Sequence, residues 1–261
     1  VEMDRHLLHA GHPHDDADMM GPETQAHMEE TWITSMAPMR IHAICMAVGW
    51  LFCINIGSMV ARYLKNGAHN FPQWFPIHIW LQGGGAVLCL FGFFLIFAHI
   101  SYEDGPHFDG LHQLMGFLIV LSVIFQVYLG FAAHFSWYEG KATSPIDMWH
   151  WWIGRATLVA AMFECLLGVQ IFSEEGLKVG INVWAAVGGA VFFSFLLLAC
   201  YEIYYKSGTF SPRPWKGDLT DESPSSEFRL TEMRFVILYA VVVGACVTVA
   251  CFGIIFNVEM A

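Results

Sequence analysis

Six long, mostly apolar stretches constrain what this chain can fold into more than any other feature. A bilayer hydrocarbon core of about 30 Å takes about 20 residues to cross at the helical rise. Inside it, backbone polar groups must pair within a helix or a closed barrel. The stretches run over about 37–63, 74–99, 111–134, 148–172, 180–205 and 234–257. They are continuous runs rather than alternating ten-residue segments, which argues against a membrane barrel. The expected fold class is an all-α polytopic membrane protein with six transmembrane helices. Composition agrees, since 56% hydrophobic residues exceeds the near-half share of a soluble domain.

The first four connections are short and rich in Gly, Pro, Asn and Asp, so successive helices run antiparallel as neighbours. The first four helices can therefore close an up-down-up-down bundle. The expected division is a His- and acid-rich extramembrane segment over 1–36, a transmembrane core over 37–206, a loop over 207–233 and a further transmembrane helix over 234–261. Basic residues set the orientation. One side holds Arg5, Arg40 and Lys178, whereas the other holds Arg62, Lys65, Lys141, Lys206, Arg213, Lys216, Arg229 and Arg234. The positive-inside rule places the N-terminus outside and the 207–233 loop in the cytosol. A net charge of -11 with only 12 Lys and Arg argues against nucleic acid as a partner. The seven cysteines all lie in apolar stretches without a C-x-x-C and read as small buried residues. The chain opens on Val1 without a signal-peptide pattern, so its numbering is expected to begin after a processing site or inside a longer polypeptide.

Four of the 13 histidines stand near the starts of the first four helices: His42, His78, His112 and His150. Ionisable groups within a membrane default to a functional hypothesis. Because the helices alternate in direction, His42 and His112 share one level, the outer, and His78 and His150 share the inner. In such a bundle the first and third helices are diagonal, as are the second and fourth, so each couple can hold one iron from opposite sides of a porphyrin. Each ligand lies roughly 7 Å deep, which leaves the irons about 15–20 Å apart. Gly116 and Gly154 follow His112 and His150 by four residues, and Gly83, Gly84 and Gly85 follow His78, giving room for a ring. Two other readings stay open: interfacial histidines that merely reach for water, and a zinc site, which would usually want four ligands.

Several stretches carry a resemblance: RIHAICMAVGWLFCINIGSMVARYLKN, WFPIHIWLQGGG, FDGLHQLMGFLIVLSVIFQVYLGF and MWHWWIGRATLVAAMFECLLG. Over about 37–206 the chain resembles the transmembrane core of the cytochrome b561 family, in its DOMON-associated, ferric-chelate-reductase-like branch. The resemblance implies that the four histidines are axial ligands of two b-type haems. It also implies that electrons pass from cytosolic ascorbate, or another cytosolic reductant, to ferric chelate or monodehydroascorbate outside. By the same resemblance Arg62, Lys65 and Lys141 meet the anionic donor, although the positive-inside rule alone would also place them there. Arg155 is expected to pair with a haem propionate. Ala43 and Glu164 depart from the family's usual Gly and Asn. Glu164 follows His150 by 14 residues, about 21 Å along its helix, which brings it to the outer haem, where it could tune the potential or hydrogen-bond a neighbour.

Weaker signals remain. His6, His9, His12 and His14 with Asp15, Asp16, Asp18, Met19 and Met20 form either a ligand-rich set for copper or iron or a solvated acidic tail. His107, with Glu103, Asp104 and Asp109, lies on the acceptor side and could hold a ferric substrate, or be a solvated loop. The sixth helix reads as packing or partner contact. The leading function is a transmembrane oxidoreductase. Its alternatives are a membrane anchor and electron-relay subunit of a larger complex, and a haem-free structural or sensory protein. A partner subunit or a homodimer is left open.

Overall fold

A hydroxyl and a carboxylate one helical turn apart start the fourth helix. The Ser144 backbone N–H and hydroxyl both donate to Asp147 Oδ2 at 2.8 Å, and the Asp147 N–H donates back to Ser144 Oγ at 3.3 Å. This is a reciprocal cap, with Pro145 at the first helical position. The helix therefore begins at Pro145, three residues before its apolar stretch.

The computed structural model describes residues 37–64, 73–136, 143–174, 180–206 and 226–256. Contacts divide the chain into Val1–Met39 and Arg40–Ala261, and of the first unit only residues 37–39, which are helical, are described. The described residues form α1 (Ala37–Leu64), α2 (Trp74–Tyr102), α3 (Leu111–Phe135), α4 (Pro145–Glu174), α5 (Ile181–Lys206) and α6 (Ser226–Phe256), with no strand among them. All six contain a stretch long and apolar enough to cross a bilayer. The protein is a multi-pass integral membrane protein. Helix α6 starts at Ser226 rather than near 234, because helix formers such as Glu227, Arg229 and Glu232 extend it beyond the apolar stretch.

Helix α1 is the hub: 61% of its apolar stretch is buried, against 22–33% in the other five. It packs against α2, α4, α5 and α6, while α3 packs mainly on α4 and more sparsely on α2. Helices α1 to α4 thus form the sides of a square, and neither diagonal couple is among the closely packed pairs. Large side chains such as Phe91, Phe94, Leu118, Leu121 and Phe252 point outward, as lipid-facing residues should.

Between α1 and α2 the backbones approach closely because small residues line the seam. A Cβ on Gly49 would fall 2.7 Å from Cys89 Sγ, and one on Gly85 would fall 2.6 Å from Ile54 Cγ1. Gly85 therefore serves the contact of α2 with α1. Its neighbours Gly83 and Gly84 have open space where a Cβ would stand. Helix α1 is also widened into π-helical turns over Ala47–Ile54 and Val60–Leu64.

Directly after the first wide segment, Asn55 joins three helices. Its side-chain amide donates to Ser194 Oγ on α5 at 2.9 Å, and its Oδ1 accepts from the Tyr239 hydroxyl on α6 at 2.8 Å. Asn55 and Tyr239 are each only 1% exposed. The sixth helix, expected to serve packing or partner contact, packs within the chain. Asn55→Leu would leave the Tyr239 hydroxyl without this acceptor, a loss worth about 1–3 kcal/mol. A lower Tm in detergent is the expected measurement.

Candidate functional site

Helices α1 and α3 bring His42 and His112 together, their ring centroids 6.3 Å apart and their planes at 89°. A metal bound midway would lie about 2 Å from each nitrogen, and each ring centre lies roughly 1.1 Å behind that nitrogen. Two such half-distances sum to about 6.2 Å, close to the observed spacing, so the spacing of the couple would suit a metal held between the two imidazoles.

What lies behind the rings agrees with ligation. His42 Nδ1 donates to the Gly92 carbonyl of α2 at 2.9 Å, and His78 Nδ1 donates to the Gly57 carbonyl of α1 at 2.9 Å. A carbonyl only accepts, so each ring carries its proton on Nδ1, and a neutral imidazole then offers Nε2 as a lone pair. His112 Nδ1 lies 2.6 Å from Glu164 Oε1 on α4, and Glu164 is 9% exposed. A carboxylate or carbonyl behind a ligating imidazole is the usual support for metal-bound histidine.

Each histidine is also seated against a glycine of its antiparallel neighbour. His42 and His78 meet Gly92 and Gly57 reciprocally across α1 and α2. Across α3 and α4, a Cβ on Gly168 would fall 3.2 Å from His112 Cε1, and one on Gly130 would fall 3.3 Å from His150 Cε1. A side chain at either glycine would press on the imidazole. From the shared level of His42 and His112, α1 reaches Gly57 after a rise of about 22 Å and α3 reaches Gly130 after about 27 Å, less where α1 is π-helical. His78 and His150 thus sit near one second level.

The position a Gly116 Cβ would take is 3.5 Å from Glu164 Oε1, and that of Gly154 is 3.1 Å from Gln126 Oε1, so polar side chains border the room these glycines leave. The Arg155 guanidinium carbon lies 3.7 Å over the Trp151 ring, and that of Arg62 lies 5.8 Å from the centre of the Tyr63 ring. His107 folds back on the end of α2: it stacks on Phe97 at 4.1 Å, and its Nε2 lies 3.0 Å from Ser101 Oγ. Lys65, Lys141 and the histidines of the N-terminal segment lie outside the described residues. Sequence reasoning missed Gly57, Gly92, Gly130 and Gly168. A search of each helix for a glycine at the depth of its neighbour's histidine would have found them.

Residues 41–173 match the family described as eukaryotic cytochrome b561. The chain belongs to the cytochrome b561 family. The match spans α1 to α4 and includes all four histidines and all four glycine seats. A cytochrome b561 and DOMON domain-containing protein of Arabidopsis thaliana is 29% identical over 179 residues, covering 66% of this chain and 41% of that protein. Ferric-chelate reductase 1 of Bos taurus is 24% identical over 142 residues, covering 52% of this chain and 23% of that protein. A cytochrome b561, DM13 and DOMON domain-containing protein of Arabidopsis thaliana is 24% identical over 155 residues, 55% of this chain and 16% of that protein. The chain spans less than half the length of these relatives. No solved structure matches it. Membership in the cytochrome b561 family implies b-type haem, and the residues fit such a group: paired imidazoles, anchored Nδ1 atoms and glycine seats where a side chain would collide.

Proposed function

We propose that this cytochrome b561 chain carries electrons across a membrane with two b-type haems, one held by His42 and His112 and the other by His78 and His150. The 6.3 Å spacing of the first couple carries this reading. When bound, each haem supplies an iron that takes up and gives back one electron. The chain holds the proton of each anchored imidazole on Nδ1, leaves Nε2 for the metal, and surrounds both levels with apolar helices that exclude water.

Electrons enter at the His78 and His150 level and leave at the His42 and His112 level. That direction rests on the basic-residue asymmetry, which puts the N-terminus outside. Arg62, Lys65 and Lys141 draw an anionic cytosolic donor, for which ascorbate is the leading choice. Arg155, one turn and a residue beyond His150, stacks on Trp151 and would pair with a haem propionate. Ferric chelate is the favoured acceptor, supported by similarity to ferric-chelate reductase 1, with monodehydroascorbate the alternative.

An absorption spectrum of the purified chain tests this directly. Two haems per chain are expected by pyridine haemochrome assay, with partial reduction by ascorbate, full reduction by dithionite and reoxidation by ferric chelate. A chain purified with its membrane fold intact but without haem bands would overturn the proposal. Because the relatives are much longer than the stretch matched, an electron-relay role in a larger assembly is the second reading. Failure of ascorbate to reduce a haem-replete chain would favour it.

A further inference from the structure

Helices α3 and α4 repeat one arrangement at both levels, with one chemical difference. At the first level His112 and Gly116 of α3 face Glu164 and Gly168 of α4. At the second, His150 and Gly154 of α4 face Gln126 and Gly130 of α3. In each case a histidine and a glycine one turn later meet a Glu or Gln and a glycine one turn later. The glycine after the Glu or Gln receives the imidazole Cε1 edge, and the glycine after the histidine receives the side-chain oxygen: Glu164 Oε1 at 3.5 Å from the Gly116 Cβ position, Gln126 Oε1 at 3.1 Å from that of Gly154. Gln126 is thus the counterpart of Glu164 across a local two-fold, a neutral amide where the other level has a carboxyl group.

From this asymmetry we infer that Glu164 sets the two haems apart, lowering the reduction potential of the one at the His42 and His112 level through the Nδ1 proton of His112. The inference rests on the ligand assignment proposed above. If His112 Nε2 binds iron, the only proton on its ring is at Nδ1; Glu164 Oε1 lies 2.6 Å away, both atoms are buried, and neither meets a hydrogen-bond partner among the described residues, so a small turn of the ring makes that N–H a donor to Glu164. A carboxylate acceptor draws the proton and pushes electron density onto Nε2, which stabilises the oxidised iron. Glu164 is buried, so little water competes for this contact. His42, the other ligand at this level, meets a neutral group instead, the Gly92 carbonyl. Glu164 is a positioning residue, acting through His112.

Two reciprocal substitutions test this in the haem-loaded chain by spectroelectrochemical titration. Glu164→Gln copies the second level's chemistry onto the first, and Gln126→Glu does the reverse. Glu164→Gln should raise one midpoint by at least a tenfold change in the reduction equilibrium, about 59 mV for one electron, and leave the other in place. Gln126→Glu should lower the midpoint that Glu164→Gln left unmoved. A purely structural role would not move one potential selectively. Wild-type chain without two haems would overturn the ligand assignment. Two haems retained with both midpoints unmoved, or with both shifted alike, would leave that assignment standing and overturn the role of Glu164. Should Glu164→Gln fail to retain haem, Gln126→Glu decides: no selective fall of one midpoint overturns the inference.

Discussion

Replacing His112 with alanine is expected to cut bound haem from two per chain to one, and His42→Ala should remove the same haem. The reason is geometric. An iron held between rings whose centroids lie 6.3 Å apart would lose one of its two protein ligands when either ring is deleted. His78→Ala or His150→Ala should remove the other haem, and His42→Ala with His78→Ala should remove both. The first couple should differ in stability. His112→Ala leaves Glu164 buried without its imidazole partner, at a cost of about 1–3 kcal/mol or more for a charged group. His42→Ala leaves behind the Gly92 carbonyl, which is neutral and lies within helix α2. Haem content by pyridine haemochrome, together with Tm in detergent, reads both effects. Loss of different haems from His42→Ala and His112→Ala would refute the pairing.

Gly92→Val carries the second-largest expected effect, although residue 92 is no ligand. A Cβ there would stand 2.9 Å from Cys45 Cβ and 3.2 Å from Met46 Cε, before valine's two methyl groups are added. The clash falls within the seam between α1 and α2, where overpacking costs about 1–3 kcal/mol. Relief requires α2 to move away from α1, which takes the Gly92 carbonyl out of reach of His42 Nδ1. The expected result is selective loss or weakening of the haem at the His42 level, with the other kept. Gly188→Val on α5 is the control, since a Cβ there meets nothing within 4 Å. Full haem occupancy and an unchanged spectrum in Gly92→Val would show that His42 does not depend on that carbonyl.

Six spans, helical structure and a histidine near the start of each of the first four helices were legible in the sequence, since each follows from local hydropathy and position along the chain. So was the depth of Glu164: fourteen residues after His150 put it at the outer level, and the structure places it there 2.6 Å from His112 Nδ1. Boundaries were less legible. The reciprocal cap of Ser144 and Asp147 lies outside the apolar stretch, so hydropathy passed over a start that the hydrogen-bond chemistry sets.

The sequence by itself determined how many times this chain crosses the membrane, and the helical alternation that puts His42 level with His112. Only the tertiary structure decided that α1 is the hub, that Asn55 ties it to Ser194 and Tyr239, that glycines 57, 92, 130 and 168 seat the imidazoles, and that Gln126 mirrors Glu164. The physical reason is rotation about the helix axis. A soluble helix announces its buried face by an apolar stripe, but a helix apolar on all sides has no stripe to read. Its inward face is chosen by small residues that let a neighbour approach and by polar groups that find partners there, and both depend on a second helix distant in sequence.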